Sequence, residues 1–284
     1  MSRSAYPPLK SLGQNFLRNE AQAKDLINRL PLTLQDRVVE LGAGQGAITF
    51  LLAEKVSQVL AVEIDSGLAV ELRGKVGHSR KRNIEVFHED MLKSDWQTWA
   101  RRLGSPFVVV GNLPYHISTP ILFKIIQHRQ IVKAAYVMLQ KEVADRLLAS
   151  SGTKEYGVLT ILIGYYVQVR SLMQFKPGSF FPRPKVSSTF VELNFRPEPA
   201  PGIADEDLFK WVVRSSFAQR RKQIKNALTA DARYPAELIE KALERNQTDP
   251  RSRGETLTIK QFVKLSNVLA DIRKEGSEVN PGKG

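Results

Sequence analysis

The sequence predicts a doubly wound α/β domain followed by a small all-α domain, and three observations carry that expectation. Short β-branched runs alternate with helical periodicity from Arg37 to Leu193. A glycine loop, Gly42-x-Gly44-x-Gly46, opens the first strand-to-helix connection. Beyond the stretch Arg196 to Gly202, which is rich in proline and glycine, only helical patterns remain.

In chain order, Val38 to Leu41, Val59 to Val62, Ile84 to Phe87, Phe107 to Val110 and Ala135 to Leu139 are near-continuous apolar runs, the pattern of strands covered on both faces. Ala47 to Val56, Ser66 to Val76, Thr119 to Gln127 and Glu142 to Ala149 carry helical periodicity between and after them. Strands around Val167 to Arg170 and Ser188 to Phe195 enclose a second proline-rich segment and are expected to form an antiparallel edge. Arg196 to Gly202 cannot continue a central strand or a helix, so it reads as a linker. Helical patterns then run over Asp205 to Phe217, Lys222 to Leu228, Ala236 to Asn246 and Thr258 to Lys274. The expected domains are residues 1–198 and 199–284.

Composition narrows the classes of function. The 284 residues are 42% hydrophobic and 25% charged, which suits one large domain with a smaller companion. The net charge of +13 points to a polyanionic partner, because Lys and Arg that neutralise phosphates release counterions. The absence of cysteine excludes disulfide frameworks, thiolate zinc sites and cysteine nucleophiles. The four histidines show no ligand spacing, so no metal is expected. Met1 to Lys10 lacks the apolar core of a signal peptide, and no apolar stretch reaches the roughly 18 residues of a membrane span. A cytoplasmic protein with no membrane partner is the expectation.

The glycine loop alone is compatible with NAD, FAD, S-adenosylmethionine or a plain tight turn. Its GxGxG spacing and the acid at Glu40 disfavour a pyrophosphate and suit a cationic cofactor. Gly42 and Gly44 let backbone approach the ligand closely. Glu63 ends the second strand, the position from which a carboxylate reaches ribose hydroxyls. Asp90 follows the third strand and can accept a hydrogen bond from an adenine amine.

Asn112-Leu113-Pro114-Tyr115 carries the chemistry. The exocyclic amine of adenine is a poor nucleophile because its lone pair is delocalised into the ring. The Asn112 side-chain oxygen and the Leu113 carbonyl can hold its two hydrogens, draw the nitrogen toward tetrahedral geometry and free the lone pair. Pro114 stiffens the turn that aims both acceptors, and an activated methyl donor lets alignment and charge placement do the rest. Tyr115 is expected to stack on an extruded base with Phe180 on its other face. Either motif alone would equally suit a turn after a buried strand, or a core aromatic pair; their occurrence together with the glycine loop favours a methylation site.

These motifs, with Leu12-Gly13-Gln14-Asn15-Phe16-Leu17, Leu139 to Val143, Phe180-Phe181-Pro182-Arg183-Pro184-Lys185-Val186 and Phe217 to Leu228, give the chain its likeness to a known family. From Leu9 to Phe262 it resembles the KsgA (RsmA) family of small-subunit ribosomal RNA adenine dimethyltransferases. The resemblance implies a Rossmann-like class I S-adenosylmethionine-dependent methyltransferase domain with a small C-terminal all-α domain that binds RNA. It further implies that Gln14, Asn15, Leu17, Gly42, Glu63, Asp90 and Asn112 lie at S-adenosyl-L-methionine. The implied reaction is N6,N6-dimethylation of two adjacent adenosines in the hairpin near the 3′ end of 16S rRNA. The implied partner is an immature small ribosomal subunit, and the implied state is a monomer. Ala43 in place of a common proline, His116 after the tyrosine and Arg183 within the proline segment depart from the family pattern.

Arg220, Arg221, Lys222 and Lys225 are expected to meet RNA phosphates, with Arg183 as a second contact near the base pocket. Arg214, Arg221 and Lys225 would share one face of a continuous helix, and a break near Gln219 would alter that. Two rival readings stand beside this one. An Erm-type 23S rRNA adenine methyltransferase shares the motifs, although Gln219 to Leu228 favours the small-subunit family. A non-catalytic ribosome-assembly factor would keep the fold without needing Asn112, Tyr115, Glu63 and Asp90 intact. A nicotinamide oxidoreductase would have no use for Asn112 to Tyr115.

Overall fold

The computed structural model describes residues 9, 12–197, 201–219 and 221–278. The elements in chain order are β1 (Phe16–Leu17), α1 (Glu20–Arg29), β2 (Arg37–Leu41), α2 (Thr49–Leu52), β3 (Gln58–Glu63), α3 (Ser66–His78), β4 (Ile84–His88), α4 (Trp96–Leu103) and β5 (Phe107–Asn112). They continue as α5 (Ser118–Gln127), β6 (Val132–Gln140), α6 (Lys141–Leu148), α7 (Val158–Gly164), β7 (Val167–Phe175), β8 (Phe180–Phe181), β9 (Ser188–Phe195), α8 (Glu206–Ala218), α9 (Ile224–Thr229), α10 (Ala236–Arg245) and α11 (Ile259–Glu278).

Seven strands form one sheet in the order β4-β3-β2-β5-β6-β9-β7. The five strands from β4 to β6 are parallel, and β9 joins β6 antiparallel. The chain proceeds outward from β2 through β3 to β4, then returns to lay β5 on the other side of β2. The order of the sheet therefore reverses at β2 and β5, and a crevice opens beyond their carboxyl ends, where open α/β sheets bind ligands. Leu41 runs from β2 into the glycine loop at that point, and Asn112 closes β5. Gly111 is what lets the two strands come together there: a Cβ at this position would lie 2.7 Å from the Leu41 carbonyl oxygen.

Local chemistry places the flanking helices. Asp65 caps α3 by accepting from the Gly67 and Leu68 amides, and Asn19 caps α1 through Gln22. Helix α1 seats Ala23, Leu26 and Ile27 in a cluster that includes Val38, Val110 and Phe190 of the sheet. Leu72 of α3 packs in a second cluster with Ala61 and Val86. The helix expected over Ala47 to Val56 is regular only at Thr49–Leu52, and turns continue it through Ala53, Lys55 and Val56. Helices α1, α4 and α7 lie outside the segments expected to be helical.

The molecule divides into two compact units. One comprises the described part of residues 1–144 together with Gln168–Phe195, and the other comprises Asp145–Val167 and the described part of 196–284. The expected division at 198/199 lies close to one of the three crossings. The segment Asp145–Val167, expected within the first domain, instead belongs to the helical unit. The reason is burial: Tyr156, Ile161, Leu162 and Tyr165 complete a core with Phe209, Val212 and Phe262. Beyond the linker the helices of this unit resume at α8, which Asp205 caps by accepting from the Leu208 amide.

Candidate active site

Two adjoining clefts of about 530 and 470 Å³ share Phe16, Gly42, Gly44 and Asn112 in their walls. Gly44 stands at φ +54°, and a Cβ there would approach the Phe16 ring to 3.0 Å. The glycine therefore admits both the left-handed turn and the aromatic lid resting on it.

Glu63 ends β3 beneath the loop. Its Oε2 accepts from the Gly44 amide at 2.7 Å and its Oε1 from the Asp65 amide at 3.0 Å. Each oxygen keeps a further lone pair for a ligand hydroxyl. Burial raises the Glu63 carboxyl above its ordinary pKa, and the two amide donors hold it back. Glu40 on β2 is more extreme. It is 1% exposed, and among the described residues neither carboxylate oxygen has a hydrogen-bond partner. Burial first, and then the negative charge of Glu63, push its pKa up to about 8; the nearby Thr49 hydroxyl, outside hydrogen-bond geometry, pulls it back only in part. A buried, unsatisfied acid in the wall of a cleft is a place prepared for a cation or a donor.

Asn112 reaches across the cleft mouth. Its Nδ2 donates to the Asn15 carbonyl at 2.7 Å. A carbonyl oxygen can only accept, so this bond fixes which end of the amide faces Asn15 and turns Oδ1 away from it. Neither Asn112 Oδ1 nor the Leu113 carbonyl accepts a hydrogen bond among the described residues. The two acceptors expected from the sequence are therefore adjacent and unengaged. Leu113 is buried and anchors the turn, and Pro114 holds φ −57° with its carbonyl accepting from Ile117. Tyr115 is tethered through its hydroxyl to Ser188 Oγ at 2.7 Å, and burial raises its pKa.

The N-terminal segment straps this arrangement together. Gln14 Nε2 donates to Asp65 Oδ2, Asn15 holds Asn112, and Phe16 and Leu17 pair antiparallel with Phe181 and Phe180. Asn15 and Leu17 line the clefts, as does Gln14. Asp90 uses Oδ1 to accept from the Leu92 amide, while its Oδ2 lies 3.9 Å from Lys93. Phe16, Ile64 and Met91 line the clefts without having been singled out as site residues. The one available signal was the position of Phe16 between Asn15 and Leu17 in the N-terminal motif.

One expectation fails in this conformation. Phe180 is 2% exposed and packs against Phe175 with ring centroids 5.9 Å apart, so it presents no free face opposite Tyr115. Its position in β8 turns it inward with the core cluster, while the next residue, Phe181, faces solvent. Of the expected RNA contacts, Arg183, Arg221 and Lys222 are exposed, and Arg220 lies outside the described residues. Lys225 is paired with Glu240 at 2.6 Å. Helix α8 ends at Ala218 and α9 begins at Ile224, so Arg214, Arg221 and Lys225 do not lie on one continuous helix.

The sheet order and the cleft at its reversal define a class I methyltransferase domain. The chain belongs to the ribosomal RNA adenine dimethylase family, whose model matches residues 9–271. It is 40% identical over 275 residues to ribosomal RNA small subunit methyltransferase A of Geobacillus thermodenitrificans, covering 95% of this chain and 93% of that protein. To the protein of the same name from Alkaliphilus oremlandii it is 39% identical, covering 92% and 91%. Among solved structures it is similar to a dimethyladenosine transferase from Plasmodium falciparum, with a TM-score of 0.77, 27% identity and coverage of 92% and 98%. The 23S rRNA methyltransferase ErmE is also similar, with a TM-score of 0.67, 26% identity and coverage of 90% and 99%.

Proposed function

We infer that this enzyme transfers methyl groups from S-adenosyl-L-methionine to the N6 amines of adenosines in small-subunit ribosomal RNA, as a step in ribosome biogenesis. The observation that carries this reading is the pair of adjacent, unengaged acceptors at Asn112 Oδ1 and the Leu113 carbonyl, beside a cleft walled by an orphaned acid.

The cleft suits the cofactor on its own chemistry. Glu40 answers a positive charge, Glu63 has lone pairs for ribose hydroxyls, and Gly42 and Gly44 leave room for close approach. Asn15, Leu17 and Gln14 would close over it, with Asp90 at the adenine end. When bound, the cofactor supplies one methyl group on a cationic sulfonium. Asn112 and Leu113 would take the two hydrogens of the target amine, which localises its lone pair. The Asn112 amide is already oriented by Asn15, so no reorganisation is needed at the moment of reaction. Tyr115, fixed by Ser188, would hold the extruded base by stacking. Because the electrophile is cationic, no strong base is required, and no metal has a role in this scheme.

Two adjacent adenosines of the hairpin near the 3′ end of 16S rRNA, within an immature small subunit, are the target the family resemblance implies. The relatives at about 40% identity are named for the small subunit, while ErmE, named for 23S rRNA, is 26% identical; this favours the small subunit over an Erm-type target. None of the described helices is long and apolar enough to cross a membrane. Cytoplasmic action as a monomer fits a ribosomal substrate. The test is to incubate the protein with labelled cofactor and small subunits lacking the modification, then map the product by primer extension. Label in adjacent adenosines of the 3′ hairpin is expected. Label only in 23S rRNA, or none with active cofactor binding, would overturn the reading.

A further inference from the structure

Among the described residues Phe181 is the most exposed aromatic side chain of the large hydrophobics that face solvent. It is 47% exposed on a two-residue strand whose other member, Phe180, is 2% exposed. The Arg18 guanidinium lies over its ring, 4.7 Å from the centroid. Arg18, Arg183 and Lys185 are all exposed, and among the described residues none of them has a carboxylate partner. Lys75, Arg102, Lys225 and Arg245, by contrast, all pair with acids. Val186 adds a second exposed apolar side chain, at 44%, to the same segment. An exposed aromatic ring beside cations that no carboxylate neutralises is the chemistry that recognises a single-stranded nucleotide, the ring taking the base and the cations the phosphates.

The position of this pair relative to the reacting groups is fixed by backbone pairing. Phe181 is the register partner of Phe16. Phe16 rests on Gly44, and the preceding Asn15 carbonyl holds the Asn112 amide. Phe181 is thus one strand away from the residue that lids the cofactor loop, at the rim and outside the clefts themselves. A base extruded toward Asn112 leaves its neighbour unstacked, and an unstacked base beside a rim lined with cations needs a surface.

We propose that Phe181 and Arg18 form a platform that stacks the nucleotide next to the target adenosine, while Arg183 and Lys185 take the adjoining phosphates. This rests on the rRNA methylation reading above. The platform lowers the cost of opening the strand and sets the register in which an adenosine enters, which makes it a determinant of substrate selection with no part in the chemical step.

Methylation of small subunits lacking the modification is measured for wild type, F181A, F181L, F181W and R18A, with cofactor affinity and melting temperature as controls. F181A and F181L are expected to raise KM for subunits about tenfold with kcat and cofactor affinity little changed, as loss of one base–aromatic stack implies. F181W is expected to restore KM, because it returns a π-face, whereas F181L returns only apolar bulk. A photoreactive phenylalanine at position 181 should crosslink to a nucleotide adjoining the methylated adenosines, mapped by primer extension. A KM for F181A equal to wild type, an F181L indistinguishable from F181W, or a crosslink confined to RNA remote from the methylated site would each overturn the platform while leaving the methylation reading standing. Failure of wild-type protein to methylate any subunit would overturn both.

Discussion

Replacing Glu40 with glutamine keeps the shape of the buried side chain and removes its titration. In the folded protein burial holds this carboxyl near pKa 8, whereas the unfolded chain returns it to about 4.5. Native Glu40 therefore keeps its proton over a range in which the unfolded chain has lost it. The resulting stabilisation is complete below pH 4.5 and is lost as pH rises through 8. Within that window the loss is about 1.4 kcal/mol per pH unit, or about 5 kcal/mol in all. E40Q does not titrate, so its stability relative to wild type should climb by an amount of that order between about pH 5 and about pH 8.5. Urea unfolding of both proteins across the range, without cofactor, measures the difference directly. A cationic ligand on Glu40 reverses the preference, so cofactor binding near neutral pH should release a proton from wild type and none from E40Q. Calorimetry in buffers of different ionisation enthalpy reads that release. Parallel stability curves for the two proteins would refute the reasoning, because they would mean that Glu40 ionises in the native state as it does in water.

Other expected outcomes follow from the same site. N112A should lower kcat by about a hundredfold to a thousandfold, since it deletes an acceptor positioned for the transition state, with melting temperature near wild type and single-turnover methylation as the readout. E63A should weaken cofactor binding by about 1.5 to 3 kcal/mol, and calorimetry showing unchanged affinity would remove Glu63 from the site. Replacing Arg221 and Lys222 together should flatten the salt dependence of subunit binding without affecting cofactor binding. K225A should change that slope less, because Glu240 already neutralises Lys225; equal slopes for all three proteins would place the phosphate contacts elsewhere.

The parts of the fold that were legible in sequence are those with a periodic signature. Strands β2, β3, β5 and β6 are apolar runs buried almost throughout, β4 at the sheet edge is only partly buried, and the alternation of these runs with helices marks the doubly wound class. Helices α1 and α4 have shorter or sparser signatures, for different reasons. The apolar positions of α1, Ala23, Leu26 and Ile27, are few and set among polar residues. Helix α4 does carry a helical stripe, Trp96, Trp99, Ala100 and Leu103, but over only eight residues, about two turns. At the site, Asn112, Leu113 and the glycine loop were readable because local sequence dictates their geometry. Phe180 was not, because in a two-residue strand the choice of which aromatic turns inward depends on what waits below it. Here Phe175 lies beneath, and Phe180 went in while Phe181 stayed out. Likewise the neutralisation of Lys225 comes from Glu240, fifteen positions away on another helix.

The division of the chain has a consequence for its synthesis. Tyr156, Ile161, Leu162 and Tyr165 are made before β9, yet the side chains that bury them with Phe209, Val212 and Phe262 are made after it. As the polypeptide emerges, these apolar residues must wait for some tens of later residues before they can be sheltered by their own unit, while the sheet of the other unit is already able to close through β9. The helical unit is consequently a structure the ribosome finishes last but begins in the middle. A gene fragment starting after the proline-rich linker would encode all of α8 to α11 and still lack part of their core. It is an embedded unit of the enzyme and not a detachable tail, so any ancestral exchange or laboratory graft of it has to carry two separate stretches of sequence.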